Sequence, residues 1–130
     1  MKTNYTLRSL EQAFLRLKEA LAEPKTGLTR DASIKRFEFS FELAWKSIQK
    51  YLYGEGISCA SPKSCFREAY KAGWVTDSPL WIRMIEDRNL TVHTYNESVA
   101  EDIYSRLSSY LPLVEGLIEN LKKAERSETE

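Results

Sequence analysis

Several residue types are scarce in this sequence, and each shortage excludes a class of protein. Its 130 residues include one histidine, His93, and two cysteines, Cys59 and Cys65. Because no second cysteine pair or histidine stands at zinc-site spacing, we expect no metal site. We also expect no cofactor and two reduced thiols, the usual state of cysteines in a cytoplasmic protein.

An excess of charge and long apolar runs are also missing. Nineteen basic residues balance nineteen acidic ones, so any RNA or nucleotide site must be a local patch. No apolar run approaches the ~20 residues that span a bilayer, and the amphipathic start "MKTNYTLRSLEQAF" is unlike a signal peptide. The sequence therefore predicts one cytoplasmic domain over residues 1–130 with no membrane contact.

Apolar residues recur at steps of three and four, which is typical of helices. The first predicted helix ends near Pro24 and Gly27, and the second begins at Thr29 as cap and closes at Gly54. Ser61-Pro62 opens a short helix that ends at Gly73, Ser78-Pro79 opens another, and the last begins after Asn96. No strand-like alternation appears. The predicted fold is all-α, an antiparallel four-helix up-and-down bundle with one short extra helix.

Two features of these helices carry further expectations. Pro112 lies inside the last helix, so we expect a kink or break near residues 108–112, and the polar tail at residues 123–130 should fray. Phe39, Leu43 and Trp45 widen the apolar face of the second helix. A helix with so broad an apolar face buries two sides, and we expect the second side to face a partner subunit.

An arginine stands where the apolar pattern of the fourth helix continues. Trp81, Met84 or Ile85, Arg88, Val92 and Tyr95 step by three and four along one face. An isolated buried charge costs many kcal/mol, so Arg88 needs an anion or a carboxylate beside it. Glu86, Asp87 and Glu97 are the carboxylates nearby in the sequence.

His93 lies five residues beyond Arg88, about 140° around an ideal helix, so the two side chains flank a groove. A histidine can exchange a proton near neutral pH, and an arginine can hold a phosphate. Asn89 can orient either group. The set can therefore support phosphodiester cleavage without metal, because the 2′-hydroxyl of RNA supplies the nucleophile. The alternative is a structural ion pair for Arg88 and a helix-end role for His93.

The segment "RNLTVHTY", residues 88–95, resembles the R-x4-H-x-Y motif of HEPN domains. The segment "RFEFSFELAWKSIQKYL", residues 36–52, resembles the second helix of those HEPN proteins that pair with a minimal nucleotidyltransferase. These proteins are also called nucleotidyltransferase substrate-binding proteins. The resemblance extends over roughly residues 5–122.

The resemblance implies a homodimeric bundle with Arg88, Asn89 and His93 as the active residues of a metal-independent ribonuclease. It implies a toxin in a toxin–antitoxin pair, controlled by a nucleotidyltransferase that adenylylates Tyr95. The alternative within the family is a non-catalytic subunit that binds a nucleotide or substrate. The chain lacks the Gly-Ser loop and the paired aspartates of a nucleotidyltransferase, so another protein would perform that chemistry.

Other basic and aromatic residues offer weaker candidates. Lys63, Arg67 and Lys71 step by four and can contact RNA phosphates, or they form a solvated helix face opposite Phe66, Ala69 and Tyr70. Tryptophans 45, 74 and 81 can stack on bases or pack in the core. Tyr95 can likewise be a buried packing residue rather than a modification site.

Overall fold

The computed structural model describes residues 5–76 and 78–129, with only the backbone of Ser78 and of residues 127–129. The described residues form five α-helices and contain no strand, which confirms the all-α prediction. The helices are α1 (Tyr5–Ala22), α2 (Gly27–Gly54), α3 (Pro62–Lys71), α4 (Ser78–Leu90) and α5 (Glu97–Thr129), with a 3₁₀ turn (Thr91–His93) before α5. None of these helices is long and apolar enough to cross a membrane.

The start of α2 differs from the prediction by one turn. Its N-cap is Thr26, whose hydroxyl accepts a hydrogen bond from the Thr29 amide at 3.0 Å. The Thr29 hydroxyl in turn accepts one from the Thr26 amide at 2.8 Å, so Thr29 lies inside the helix. Ser61 and Ser64 repeat this reciprocal arrangement at the start of α3, where the predicted cap is confirmed. In each pair, two hydroxyls three residues apart accept hydrogen bonds from two backbone amides that would otherwise lack a partner at the helix start.

A chain of aromatic rings fixes α4 against the rest of the bundle. The Phe37 ring of α2 lies 5.7 Å from the Tyr110 ring of α5 and 6.3 Å from Phe41. Phe41 stacks at 5.9 Å on Phe66 of α3, which stacks at 5.9 Å on Trp81 of α4. All five rings are buried. Such contacts add stability beyond their buried area and restrict how the helices slide.

Helix α5 runs through Pro112 without interruption, so the predicted break is wrong. Proline removes one backbone hydrogen bond. The buried residues Tyr110 and Val114 on either side keep the helix in register with the core. The helix also continues past Lys122, where the apolar pattern stops, to Thr129. Fraying of this polar tail stays a prediction.

Cys59 and Cys65 form a disulfide, so the expectation of reduced thiols is wrong. Cys59 lies in the loop after α2 and Cys65 in the first turns of α3, and the start of α3 brings their Cα atoms to 5.1 Å. That distance lies within the range that a disulfide requires. Both residues are buried. The bond ties the α2–α3 loop to the core side of α3.

Candidate active site at the end of helix α4

The predicted helix face from Trp81 to Tyr95 is only partly present. Trp81 and Met84 are buried as expected, but Val92 is 64% exposed and Tyr95 is 83% exposed. Helix α4 ends at Leu90 because the chain turns there toward α5. Tyr95 is therefore not a core residue, and it does not lie on the helix face that carries Arg88.

The turn itself is held by hydrogen bonds around Asn96. The Asn96 amide donates to the His93 carbonyl at 3.0 Å. The Asn96 side-chain oxygen accepts from the amides of Ser98 and Val99 at 2.9 and 3.2 Å. An asparagine in this position caps the following helix. It also fixes the short segment that presents His93 and Tyr95.

The carboxylate beside Arg88 comes from α2, not from its sequence neighbours. The Arg88 Nε donates to Glu42 Oε2 at 3.2 Å, and 27% of the Arg88 side chain remains exposed. The other carboxylate oxygen of Glu42 accepts from the Trp45 ring nitrogen at 3.2 Å. The expectation that Glu86, Asp87 or Glu97 pairs with Arg88 is wrong, because α4 turns this side of the helix toward α2.

Thr91 links Arg88 to a second glutamate of α2. The Thr91 hydroxyl donates to Glu38 Oε2 at 2.7 Å and lies 3.5 Å from Arg88 Nη1. Glu38 also lies 3.3 Å from Lys35 Nζ. The Nη2 group of Arg88 makes no hydrogen bond to the described residues. One edge of the guanidinium is thus fixed by α2 and another is open to a ligand.

His93 lies at the exposed end of the 3₁₀ turn, next to Tyr95. The Tyr95 hydroxyl is 3.4 Å from His93 Nδ1, and the two rings meet edge to face with centroids 6.0 Å apart. Asn89 is exposed, and its side chain has no hydrogen-bond partner among residues 5–76 and 78–129. No hydrogen bond joins Arg88 to His93 in that part of the chain. The structure therefore pairs His93 with Tyr95, and Arg88 with Glu42.

Tyr95 borders a groove of about 520 Å³ between α2 and the α4–α5 turn. Its lining residues are Asp31, Ile34, Lys35, Glu38, Thr91, Val92, Thr94 and Tyr95. The groove contains one lysine beside two carboxylates, and it leads from the Tyr95 hydroxyl toward the Thr91–Glu38 pair. A group attached to Tyr95 would have room to lie along α2.

A buried triad fixes α4 immediately before Arg88. Asp87 is fully buried and accepts from Arg106 Nε at 2.9 Å, from Arg106 Nη2 at 2.7 Å and from the Tyr110 hydroxyl. Burial and the hydrogen bond to Asp87 raise the pKa of Tyr110 above its usual range. The bidentate contact holds the backbone of α4 in a defined register on α5.

A second ionic network ties the start of α5 to α2. Arg30 is buried, and its Nη1 donates to Glu97 at 2.7 Å and to Glu101 at 2.9 Å. The hydrogen bond from Arg30 lowers the pKa of Glu97, and hydrogen bonds from Lys25 and Arg30 lower that of Glu101. Glu97 is the first residue of α5, just after the 3₁₀ turn. This network therefore fixes the C-terminal end of the turn against α2.

The basic residues of α3 lie on its solvent side. Lys63, Arg67 and Lys71 are not buried, and Lys71 is 3.6 Å from Glu68. Phe66 and Ala69 form the buried side, but Tyr70 is 46% exposed and does not belong to it. This arrangement leaves the three basic side chains free to contact an extended ligand. No contact in the described residues joins any of them to Arg88.

The tryptophans divide between core and site. Trp74 and Trp81 are buried in the core, which confirms the packing interpretation for both. Trp45 is only partly buried and bonds to Glu42. It packs against the core at its edge, and its ring nitrogen lies beside the carboxylate that pairs with Arg88.

Sequence analysis missed the α2 residues that complete the site. Glu42 is a carboxylate inside the broad apolar run "FSFELAW". The argument that Arg88 needs a partner of opposite charge on an apolar helix face applies equally to this carboxylate. Arg30 lies between Thr29 and Asp31, outside any apolar run, so its burial gives no such signal. Glu38, between Phe37 and Phe39, carries the same signal as Glu42. Thr91 gives none, because a threonine at such a position is usually solvated.

The all-α bundle and the segment from Arg88 to Tyr95 define the class of protein. The chain matches, over residues 5–123, the family described as nucleotidyltransferase substrate binding protein like. It belongs to that family, and the resemblance seen in the sequence is confirmed.

Individual relatives agree with this assignment. A Thermus thermophilus protein of known crystal structure is 43% identical, with a TM-score of 0.81 over 86% of this chain and 98% of that one. A Haemophilus influenzae protein, described as having the fold of a substrate binding domain of a nucleotidyltransferase, is 26% identical. Its TM-score is also 0.81, over 89% of this chain and 98% of that one.

A third relative carries the name of an enzyme. The Haemophilus influenzae protein named "Probable ribonuclease HepT" is 29% identical over 96 residues. The match covers 70% of this chain and 66% of that protein, so the chain spans about two thirds of the length of this relative.

Proposed function

We propose that this chain is a metal-independent endoribonuclease of the HEPN type, with Arg88, Asn89 and His93 as its active residues. The observation that carries the proposal is the state of Arg88. Its Nε is held by Glu42 while its Nη2 has no partner among the described residues. A guanidinium fixed at one edge and open at the other is suited to bind a phosphate. The exposed imidazole of His93 follows one turn later.

The cleavage step needs one base and one phosphate-binding group. His93 takes the proton of the 2′-hydroxyl, the 2′-oxygen bonds to phosphorus, and the bond to the 5′-oxygen breaks. The leaving oxygen takes a proton from water, and the hydroxide that results takes the proton from His93. The products are a 2′,3′-cyclic phosphate and a 5′-hydroxyl. Arg88 offsets the charge that develops on the phosphate oxygens. When Nδ1–H of His93 donates to the Tyr95 oxygen, Nε2 is left as the base.

The proposed biological role is that of a toxin controlled by a partner nucleotidyltransferase that adenylylates Tyr95. The Tyr95 hydroxyl is exposed and lies beside His93, so an AMP group there would cover the catalytic imidazole. The helix face predicted from Trp81 to Tyr95 would have put an adduct on the side of Arg88. The turn after Leu90 favours His93 as the group that is blocked.

We further propose that two chains pair through residues 36–52 and 79–95. Phe39 is 52% exposed, and Ile82 and Leu90 are each 38% exposed. Large exposed apolar side chains on α2 and α4 favour burial against a second copy. A sedimentation experiment at micromolar concentration is expected to give a dimer, and a monomer alone would contradict this part of the proposal.

A second candidate function is a non-catalytic subunit that binds a nucleotide or substrate for a nucleotidyltransferase. The family description supports it, and the pairing of Arg88 with Glu42 partly neutralises the proposed phosphate-binding group. In this case the groove beside Tyr95 would bind its ligand and leave it unchanged.

An RNA-cleavage assay in EDTA separates the two functions. The ribonuclease proposal expects cleavage that survives EDTA and leaves a 2′,3′-cyclic phosphate end. His93→Ala should lower the rate by roughly 10²–10⁴-fold, the usual contribution of an acid–base group. Arg88→Ala should lower it by roughly 10²–10³-fold, the usual cost of losing one donor to the developing charge. Thermal unfolding should be unchanged in both. Arg83→Ala, an exposed arginine on the same helix, is the matched control. Variants as active as the control would leave the binding function as the better account.

A further inference from the structure

A second cavity lies along α2, beyond the residues that hold Arg88. Its volume is about 510 Å³, and its lining residues are Lys46, Gln49, Lys50, Tyr53, Ile57, Ser58 and Cys59. Two exposed lysines one helical turn apart stand on its wall, and the Tyr53 ring is 77% exposed. Cationic groups and an open aromatic ring on one cavity suit a ligand that carries both phosphates and bases.

The lysines of this cavity are not neutralised by neighbouring carboxylates. Neither Lys46 nor Lys50 has a carboxylate oxygen within 4.0 Å in the part of the chain that the structure describes. Several other lysines do have such a partner, namely Lys25, Lys35, Lys71 and Lys122. Because the chain has no net charge, two unpaired cations on one wall create a local positive potential.

The far wall of the cavity is preformed. The Gln49 side-chain amide donates to the Cys59 carbonyl at 2.7 Å. Cys59 is bonded through the disulfide to Cys65, which is fully buried in α3. The loop therefore keeps its place against α2 without a ligand, so binding costs little ordering of the protein.

The cavity lies on the side of α2 that leads to the candidate active site. Lys46 follows Glu42 by one helical turn, and Gln49, Lys50 and Tyr53 follow at the next turns. Seven residues of helix, from Glu42 to Gln49, correspond to about 10 Å. A strand whose phosphate contacts Arg88 would thus meet Lys46 and Lys50 within a few nucleotides.

We propose that this cavity is a second phosphate-binding subsite for single-stranded RNA, in which Lys46 and Lys50 contact the backbone and Tyr53 stacks on a base. The choice of RNA as the ligand rests on the proposed ribonuclease function. The subsite would hold the strand beside the cleavage position and would set a minimum substrate length.

Binding of a 2′-O-methyl RNA oligonucleotide, followed by fluorescence anisotropy over a range of salt concentrations, tests the subsite. This probe lacks the nucleophile, so binding is measured apart from cleavage. Lys46→Ala and Lys50→Ala should each weaken binding and reduce the slope of log K against log salt by about 0.7, the value of one single-strand phosphate contact. Tyr53→Leu should weaken binding at least about fivefold, whereas Tyr53→Phe should keep it, because stacking needs only the ring.

Lys18→Ala is the matched control, since Lys18 is an exposed lysine on α1, outside the cavity. Slopes for Lys46→Ala and Lys50→Ala equal to that of the control would overturn the subsite, as would a wild type that does not bind the probe. Equal binding of AMP and of the oligonucleotide would assign the cavity to a free nucleotide and overturn the proposal that it binds an RNA strand. Reduced slopes in a protein that cleaves no RNA would keep the subsite and reject the ribonuclease. RNA cleavage by a protein whose lysine variants have unchanged slopes would keep the ribonuclease and reject the subsite.

Discussion

Glu42 of α2 and Arg88 of α4, 46 positions apart in the sequence, are joined by a 3.2 Å hydrogen bond from Arg88 Nε to Glu42 Oε2. The bond leaves Nη2 of Arg88 without a partner among the described residues. Glu42 thereby determines which edge of the guanidinium faces a ligand. In the proposed ribonuclease it is a positioning residue rather than a catalytic one.

Glu42→Gln should lower kcat for RNA cleavage by roughly 10–100-fold, because Arg88 loses the charged partner that orients it. KM should stay the same or fall, since the competing negative charge beside the phosphate site is gone. Steady-state kinetics at one salt concentration measure both. Glu86→Gln, an exposed glutamate of α4 paired only with Arg83 in the described structure, should change neither. A rise in KM at constant kcat would mean that Glu42 contacts the substrate directly.

Arg106→Met should lower the free energy of unfolding by roughly 2–3 kcal/mol. The change leaves the buried Asp87 carboxylate with Tyr110 as its remaining side-chain partner, and an uncompensated buried charge is costly. The partial exposure of Arg106, 28% of its side chain, keeps the cost below that of a fully buried pair. Urea denaturation gives the value.

The matched control for Arg106 is Arg83→Met, an exposed arginine whose loss should change stability by less than about 0.5 kcal/mol. Equal stability of the two variants would show that Asp87 does not depend on Arg106. In the ribonuclease assay, Arg106→Met should also lower activity, because Asp87 directly precedes Arg88 on α4.

Stability should fall on acidification through the network around Arg30. The pKa values of Glu97 and Glu101 lie below the usual 4.5 in the folded protein, so the unfolded chain binds more protons. Their contribution is therefore fully present above about pH 4.5 and is lost as the pH falls through the lowered values. Melting temperatures measured between pH 3 and pH 6, roughly the range that brackets these groups, should show the loss.

A variant that cannot titrate isolates this effect. In Glu97→Gln with Glu101→Gln, the melting temperature should be lower near neutral pH and should fall less steeply on acidification than in wild type. Glu115→Gln with Glu119→Gln, two exposed glutamates of the same helix, should behave as wild type does. Parallel curves for both pairs would show that the network does not contribute to acid sensitivity.

The sequence was most informative where a periodic apolar pattern met a cap or a proline. The end of α2 at Gly54 and the start of α3 at Ser61-Pro62 agree with the structure, because those signals act locally. The Arg88 pattern correctly demanded a carboxylate but could not identify Glu42. That pairing depends on how α2 and α4 cross, and single-sequence periodicity does not contain this information.

Errors in the sequence analysis arose where tertiary contacts or a cap outweighed periodicity. Val92 and Tyr95 continue the α4 spacing, yet the Asn96 cap begins a new helix and turns both residues outward. A kink or break was expected near Pro112, and the break is wrong because core packing on both sides carries α5 through. The disulfide could not be inferred from two cysteines alone, since it depends on the position at which α3 begins.

Tyr95 should be the acceptor of AMP from a partner nucleotidyltransferase. Its hydroxyl is 3.4 Å from His93 Nδ1. In the tautomer that carries its proton on Nε2, the imidazole can take the phenolic proton at Nδ1 as the oxygen attacks the α-phosphorus of ATP and pyrophosphate leaves. The groove beside Tyr95 offers the Lys35 ammonium to the bound phosphate. After incubation with the partner and ATP, intact-mass spectrometry should show a gain of roughly 329 Da per AMP on the phenolic oxygen.

Tyr95→Phe should gain no mass and should keep RNA cleavage in the presence of the partner, whereas the modified wild type should lose it. Tyr53→Phe is the matched control, because Tyr53 is 77% exposed against 83% for Tyr95 and has no histidine within hydrogen-bond distance in the described structure. This control should gain the same mass as wild type. Labelling of Tyr95→Phe equal to wild type would place the acceptor elsewhere, at Tyr70 or Tyr104. If modified wild type still cleaved RNA, the AMP group on Tyr95 would not block His93.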